Sequence, residues 1–223
     1  MRHHPYMALK TDVPTARPWI PQKPTLPKLI AASKQCEGCD LYKHATQTVF
    51  GAGPANAAVI MIGEQPGDSE DREGAPFVGP AGKLLDKALI EAGVDREQVY
   101  VTNAVKHFKF EPRGKRRIHA KPNAIEIAAC RPWLDAEIGV IHPELIVCLG
   151  ATAAQAMLGR AFRLTQQRGV FLPHDAAKLI MATVHPSALL RAPDPEKRHE
   201  EYRLFVRDLA QIPRKVGAVR LAG

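Results

Sequence analysis

The strongest constraint on the fold is an alternation of short apolar runs with segments of helical periodicity. Such alternation is typical of a parallel sheet with helices on both faces. We expect strands at 57–63, 99–103, 144–150 and 178–186, and helices at Pro80–Glu91, from Pro122, at 151–158, and from Pro195 to about Ile212. With 223 residues, the chain is predicted to form one α/β domain around a central parallel sheet.

Polar segments follow three of the predicted strands. They read "GEQPGDSED" after the first, "NAVKHFK" after the second and "HPS" after the last. Because ligands of open parallel sheets bind outside the carboxyl ends of the strands, these loops should converge on one crevice. Any one of them, taken singly, could also be a turn without further function.

Charge and composition restrict the partners of the chain. The net charge is +8 and the sequence pI about 9.5, which favours a polyanionic partner such as nucleic acid but also suits an anionic membrane surface. No apolar run is long enough to cross a bilayer, and the N-terminus lacks the apolar core of a signal peptide. We therefore expect a cytoplasmic protein without a membrane partner, and a monomer.

The first 27 residues have a composition of their own. They contain six prolines and no sustained periodicity, which is typical of an extended arm. We therefore predict a flexible proline-rich arm at 1–27 and a single domain at 28–223.

The four cysteines indicate a metal site. Cys36 and Cys39 form a C-x-x-C pair, and Cys130 and Cys148 follow far downstream. In a reducing compartment, four thiols with one chelating pair predict a shared metal, and both zinc and a [4Fe-4S] cluster accept four thiolates. Cys148 lies inside an apolar run, so it could instead be a small core residue.

Three motifs resemble those of the uracil-DNA glycosylase superfamily, in particular its iron-sulfur family 4 branch. They are "GEQPGDSEDREGAPFVGPAGKLL", "VTNAVKHFK" and "VHPSALLR", and the resemblance covers roughly residues 28–212. It implies a uracil-DNA glycosylase-like three-layer fold, a [4Fe-4S] cluster on the four cysteines, and uracil-containing DNA as partner. Gln65, where family 4 enzymes usually have Ala, and the insertion "KRRIH" resemble the UdgX-type branch.

The chemistry of uracil removal suits residues of these motifs. An amide can accept from uracil N3-H and donate to O4, a role that the resemblance gives to Asn103. Phe77 offers a face for stacking the extruded base, and His185 can donate to O2 as negative charge accumulates on the leaving base. Each has a structural alternative, as a cap, a core aromatic or a buried histidine. The motifs also assign Glu64 to catalysis and Gln65, Gly67, Asp68 and Ser187 to substrate binding.

The basic segment that ends in "KRRIH" is predicted to bind DNA and to carry a nucleophile. A neutral imidazole at His119 could capture the sugar cation, and the resemblance to UdgX-type proteins implies a lasting covalent link to the abasic site. Taken alone, the segment could be a solvated loop or a localisation signal. The predicted contacts to DNA are Lys106, Lys109, Lys115, Arg116, Arg117 and, beyond the segment, Arg191.

The sequence therefore predicts a glycosylase that excises uracil, with single-stranded DNA preferred, and stays bound through His119. Two alternatives remain open. An ordinary family 4 enzyme would use water in place of His119, and a binding protein would hold uracil-containing or single-stranded DNA without cleavage.

Overall fold

The computed structural model describes residues 14–217 and is built on a five-stranded sheet. Its strands are β1 (Val59–Gly63), β2 (Val99–Asn103), β5 (Leu145–Leu149), β6 (Leu172–His174) and β7 (Ala177–Thr183), in the order β2-β1-β5-β7-β6. The first four in that order run parallel, and β6 pairs antiparallel with β7 at the edge. Strands β3 (Phe110–Arg113) and β4 (Arg116–His119) form a separate hairpin.

Helices cover both faces of this sheet. Their bounds are α1 (Leu26–Ser33), α2 (Asp68–Glu73), α3 (Pro80–Glu91), α4 (Ala124–Ile141), α5 (Ala151–Leu158), α6 (Leu164–Gln167), α7 (Pro186–Leu190), α8 (Pro195–Leu209) and α9 (Ile212–Lys215). Short 3-10 turns lie at Arg17–Trp19, Asp40–Lys43 and Arg96–Gln98.

An apolar core lies between the sheet and the helices on each of its two faces. On one face, Ile60 and Ile62 of β1 pack in a core with residues of α1, α4 and α5, including Trp133. On the other, Val59 and Met61 pack in a core with residues of α3 and α8. Strands β1, β2 and β5 are buried along their whole length, as expected for central parallel strands covered on both faces. The predicted three-layer α/β fold with a central, mostly parallel sheet is confirmed.

The structure differs from the sequence-based expectation at the N-terminal boundary. Residues 1–13 of the predicted arm lie outside the described residues. Residues 14–27 do not extend away from the domain, because Ala16 is buried and its N-H donates to the Ala129 carbonyl at 2.8 Å. Helix α1 begins at Leu26, so the boundary expected after residue 27 falls inside a helix.

The basic segment is more ordered than a loop. β3 and β4 form an antiparallel ladder that pairs Phe110 with His119, and Gly114 at the turn has a φ of 59°. Glycine suits this left-handed conformation because it has no Cβ to clash. Among residues 14–217, no helix is both long and apolar enough to span a membrane.

Candidate active site

The three polar loops meet at a cavity of about 370 Å³ at the carboxyl ends of the parallel strands, here called the sheet-end cavity. Because the strands are parallel, the loops that follow them lie at the same edge of the sheet although they are distant in sequence. Nine of the residues predicted to act on the substrate or DNA line it: Glu64, Gln65, Gly67, Phe77, Asn103, His119, His185, Ser187 and Arg191.

Gly63 allows the uracil-reading candidate and the stacking candidate to share one wall. It ends β1 opposite Asn103 of β2. A Cβ at Gly63 would lie 2.3 Å from Asn103 Oδ1 and 2.9 Å from Phe77 Cζ, so any side chain there would displace both. The amide of Asn103 and the ring of Phe77 therefore border the cavity together.

The backbone of Phe77 has a left-handed conformation and packs against α3. Its φ is 58°, a left-handed value that is uncommon outside glycine. Its carbonyl lies against α3, where a Cβ on Gly82 would come 1.6 Å from Phe77 O. The ring is nearly parallel to the His185 ring, with centroids 6.1 Å apart and an interplanar angle of 27°.

Glu70 of α2, to which the sequence motifs assigned no site role, holds the two loops around Phe77 together. It is buried, and its carboxylate accepts from Gly67 N-H at 3.0 Å and from Gly79 N-H at 2.9 Å. Charge-assisted hydrogen bonds of this kind are among the stronger ones in proteins. The loop after β1 and the entry to α3 are thus fixed relative to each other.

The hydrogen bonds of His185 define its tautomer. Its Nδ1 accepts from the Ser187 backbone N-H at 3.1 Å and lies 2.8 Å from Ser187 Oγ. Since Nδ1 is an acceptor, the proton of the neutral ring is on Nε2. Burial, assisted by the charges of Arg191 and His119, lowers the pKa of His185 to about 4. His185 is therefore a neutral hydrogen-bond donor at pH 7.

His119 lies at the end of the β3–β4 hairpin and faces a carboxylate across the cavity. Its Nε2 is 3.4 Å from Glu64 Oε1, and 49% of its side chain is exposed, against 19% for Glu64. The imidazole is thus open to a ligand in the cavity while it remains within reach of a proton acceptor.

Gln65 fastens the two ends of the hairpin. Its Nε2 donates to the Lys109 carbonyl at 3.1 Å and to the Ala120 carbonyl at 3.0 Å, and its Oε1 accepts from Lys109 N-H at 3.1 Å. The same loop carries Glu64, so adjacent residues fix the position of the hairpin relative to the Glu64 carboxylate. This contact to the backbone was not foreseen from the sequence.

Arg117 anchors the outer face of the hairpin to α2. Its guanidinium bonds Asp68 at 2.5 Å and the fully buried Asp71 at 2.6 Å. Asp71 also accepts from Thr46 N-H at 3.0 Å. Arg117 was predicted to contact DNA and Asp68 to contact the substrate, but the two bind each other. Asp68 does not line the sheet-end cavity.

Comparison with known proteins identifies the family. The family model described as the uracil DNA glycosylase superfamily matches residues 50–210. The chain belongs to the uracil-DNA glycosylase superfamily. It is 40% identical over 177 residues to a Type-4 uracil-DNA glycosylase from Thermotoga maritima, covering 79% of this chain and 86% of that relative.

Further relatives within the superfamily are similar over most of their length. A Type-4 uracil-DNA glycosylase from Sulfurisphaera tokodaii is 37% identical over 188 residues, covering 81% of this chain and 82% of the relative. A Type-5 uracil-DNA glycosylase from Thermus thermophilus is 30% identical over 160 residues, covering 62% and 68%. The resemblance to the superfamily and to its family 4 relatives is confirmed.

The predicted DNA-binding cations of this superfamily member fall into different environments. Lys115 and Arg116 are exposed at the tip of the hairpin, and Arg191 lines the cavity. Lys109 is partly buried and bonds Glu126 at 2.9 Å.

The prediction that Lys106 contacts DNA is wrong. Its side chain is fully buried and its ammonium bonds the buried Glu137 of α4. An ammonium enclosed in the core cannot reach a phosphate. Glu137 was missed, although one signal was available. It lies four residues after Trp133 and three after Leu134, which places a carboxylate on the apolar face of its helix.

Three of the four thiols influence one another. The pKa of Cys39 is raised by burial and further by Cys36, and burial raises the pKa of Cys130 to about 12, with Cys39 and Cys36 adding to the rise. Trp133 Nε1-H donates to Cys36 Sγ, and Lys106 N-H to Cys130 Sγ, each at 3.2 Å.

Cys148 lies in the same apolar core as Cys36 and Cys130. It is buried in β5, burial raises its pKa to about 12, and the charged group that acts on it is Arg131. Across residues 14–217, no three His, Cys, Asp or Glu side chains lie close enough to hold a single metal ion. The N-H donors to Cys36 and Cys130 point at sulfur as they would toward thiolates.

Proposed function

We propose that this protein is a uracil-DNA glycosylase that excises uracil and stays joined to the abasic site through His119. The observation that carries the proposal is the pairing of His119 Nε2 with Glu64 Oε1 at 3.4 Å beside the sheet-end cavity. The names of the Type-4 relatives support the excision step. The covalent step rests on the position of His119.

Recognition would use the wall formed by Asn103 and Phe77. The Asn103 amide accepts from uracil N3-H and donates to O4, whereas cytosine, with the reversed pattern, leaves the buried amide unpaired. Phe77 stacks on the base. We infer that single-stranded DNA is preferred, because an unstacked base enters such a pocket without the cost of opening a duplex.

Cleavage then separates charge across the cavity. As the C1′–N1 bond breaks, its electron pair leaves with uracil, and His185 Nε2-H donates to the developing charge on O2. Positive charge remains on the sugar and is offset by the Glu64 carboxylate. His185 donates without becoming ionised, since its pKa is near 4.

Capture of the sugar by His119 completes the reaction. With its proton on Nδ1, the His119 ring offers the in-plane lone pair of Nε2, which forms the bond to C1′. The positive charge then passes to the ring, where Glu64 Oε1 is close enough to offset it, and loss of the Nδ1 proton to solvent leaves a neutral alkylated imidazole. The alkylated imidazole is a poor leaving group, so the link persists and the reaction stops after one turnover.

The cysteines support a cluster as part of the proposal. We infer that Cys36, Cys39, Cys130 and Cys148 hold a [4Fe-4S] cluster, because Cys36, Cys130 and Cys148 share one apolar core and Cys39 packs against it. A bound cluster would join the 36–39 segment to α4 and order the loops near DNA. Purified protein should absorb in the blue, and iron should be lost in Cys36→Ala and in Cys148→Ala; iron retained in both variants would contradict this assignment.

The proposal is tested on a denaturing gel with a parallel uracil assay. Protein is mixed with a single-stranded oligonucleotide that contains one uracil, and we expect one uracil released per adduct formed. His119→Gly should lose the adduct and retain uracil release, because water can enter the vacated space. His199→Ala, which alters an exposed histidine on α8, is the matched control and should retain both.

Each other outcome has a definite meaning. Repeated release without an adduct would identify a turnover enzyme that uses water, and binding without release would identify a binding protein. Loss of both signals in a folded His119→Gly would contradict the nucleophile assignment, since that residue should be needed only for capture.

A further inference from the structure

The buried pair of Lys106 and Glu137 lies directly behind the residue that reads the base. Both side chains are fully buried. The Lys106 ammonium donates to Glu137, to Thr102 Oγ1 at 2.7 Å and to the Asn103 carbonyl at 2.8 Å. An ammonium has three donors, and all three find an acceptor here.

Glu137 connects this ammonium to three separate parts of the fold. Its Oε1 accepts from Tyr100 Oη at 2.8 Å, from Thr102 Oγ1 at 3.0 Å and from Gly51 N-H at 3.1 Å. A Cβ on Gly51 would come within 2.4 Å of that oxygen, so the loop approaches closely. Helix α4, strand β2 and the loop at Gly51 are therefore fixed to one carboxylate.

The backbone of Lys106 completes the arrangement. Its N-H donates to Cys130 Sγ at 3.2 Å, and its carbonyl accepts from Val49 N-H at 2.8 Å. The turn after Asn103 is also bonded to β1, through Ala104 N-H to the Gly63 carbonyl at 2.9 Å. The position of Asn103 is thus set from within the core.

We propose that Lys106 and Glu137 are positioning residues that hold Asn103 for uracil recognition. This inference rests on the proposed function. A buried ion pair is weak evidence for stability, because apolar or neutral replacements are often tolerated, whereas a lone buried charge is costly. The pair instead fixes the peptide that carries the base-reading amide, and a misplaced amide cannot pair with both N3-H and O4 of uracil.

The test is a double-mutant cycle between the pair and Asn103. The variant Lys106→Met with Glu137→Gln removes both buried charges at once and retains an oxygen for Tyr100 and Gly51. Uracil release is timed under single-turnover conditions for the unaltered protein, the paired variant, Asn103→Ala and the combination. Circular dichroism and thermal unfolding establish that each variant is folded at the assay temperature.

We expect the paired variant to release uracil at least about tenfold more slowly and to favour uracil over cytosine less strongly. In the Asn103→Ala background the same change should cost less than about threefold, because the amide it positions is absent and the effects are not additive. Arg96→Met with Asp86→Asn is the matched control. Arg96 bonds Asp86 and the Val99 carbonyl at the opposite end of β2, and the change should alter the rate less than about twofold.

Other outcomes separate this inference from the proposed function. Equal losses with and without Asn103, or an unchanged rate and unchanged preference in the paired variant, would overturn the inference and leave the glycosylase proposal standing. If the unaltered protein releases no uracil, the proposed function fails. The cycle is then read from the ratio of affinities for uracil- and cytosine-containing oligonucleotides, and an additive result there would overturn the inference as well.

Discussion

Gln65→Ala should separate adduct formation from uracil excision. The Gln65 amide makes three hydrogen bonds to the backbone at the two ends of the hairpin that carries His119. It contributes no proton or nucleophile to the proposed cleavage. Its removal should therefore loosen the nucleophile while Asn103 and His185 remain in place.

The size of the effect follows from those three bonds. Each contributes about 0.5–1.5 kcal/mol net, so the loss of all three costs the docked hairpin about 1.5–4.5 kcal/mol, and each 1.4 kcal/mol is tenfold. Arg117 still holds the outer face of the hairpin through Asp68 and Asp71. We expect a cost of about 2 kcal/mol, in the lower part of this range, and therefore an adduct rate about 30-fold slower.

The assay follows adduct and free uracil in the same samples over time. Gln65→Ala should slow the adduct while uracil release changes less than about threefold, so that released uracil exceeds adduct. Gln98→Ala alters an exposed glutamine and serves as control. An unchanged adduct rate, or an equal fall in adduct and release, would refute the conclusion that Gln65 acts through the hairpin.

Two further predictions concern charge. Arg117→Ala should slow adduct formation about tenfold, because it leaves Asp71 buried without its cation. Arg116→Ala, which alters an exposed neighbour, should only weaken DNA binding and its salt dependence. Equal effects of the two variants on adduct yield would contradict this distinction. Because the folded-state pKa of His185, about 4, is below the ordinary 6.5, the group stabilises the fold above pH 6.5 and loses that contribution as the pH falls toward 4. Urea midpoints should fall between pH 7 and 5, and fall less in His185→Asn, while uracil release at full folding should not show a titration near pH 6.5.

Periodicity was sufficient to predict the sheet, because its central strands are apolar on both faces. The strand at 99–103 and the helices at Pro80–Glu91 and 151–158 lie where the sequence places them. The hairpin was taken for a loop, since its two strands are short, charged and mostly exposed. No apolar alternation indicates such a ladder.

The sequence did not reveal which charged side chains are buried and paired with each other. Lys106 belongs to a basic run and was therefore predicted to contact DNA, yet its acidic partner Glu137 is 31 positions away on another element. Arg117 likewise bonds acids of a distant helix. Spacing alone does not tell which side of a strand a cysteine faces, and only the fold places Cys148 in the same apolar core as Cys36 and Cys130.

Phe77 and Gly82 constrain each other through a backbone contact, with a consequence for variation within this pocket. The carbonyl of the left-handed Phe77 occupies the space of a side chain on α3. A related chain with a side chain at position 82 cannot keep this backbone conformation at position 77. An aromatic residue at 77 would then have to enter the cavity from another direction. Glycine at 82 is therefore a better marker of an equivalent pocket than the aromatic residue itself, and the two positions should change together.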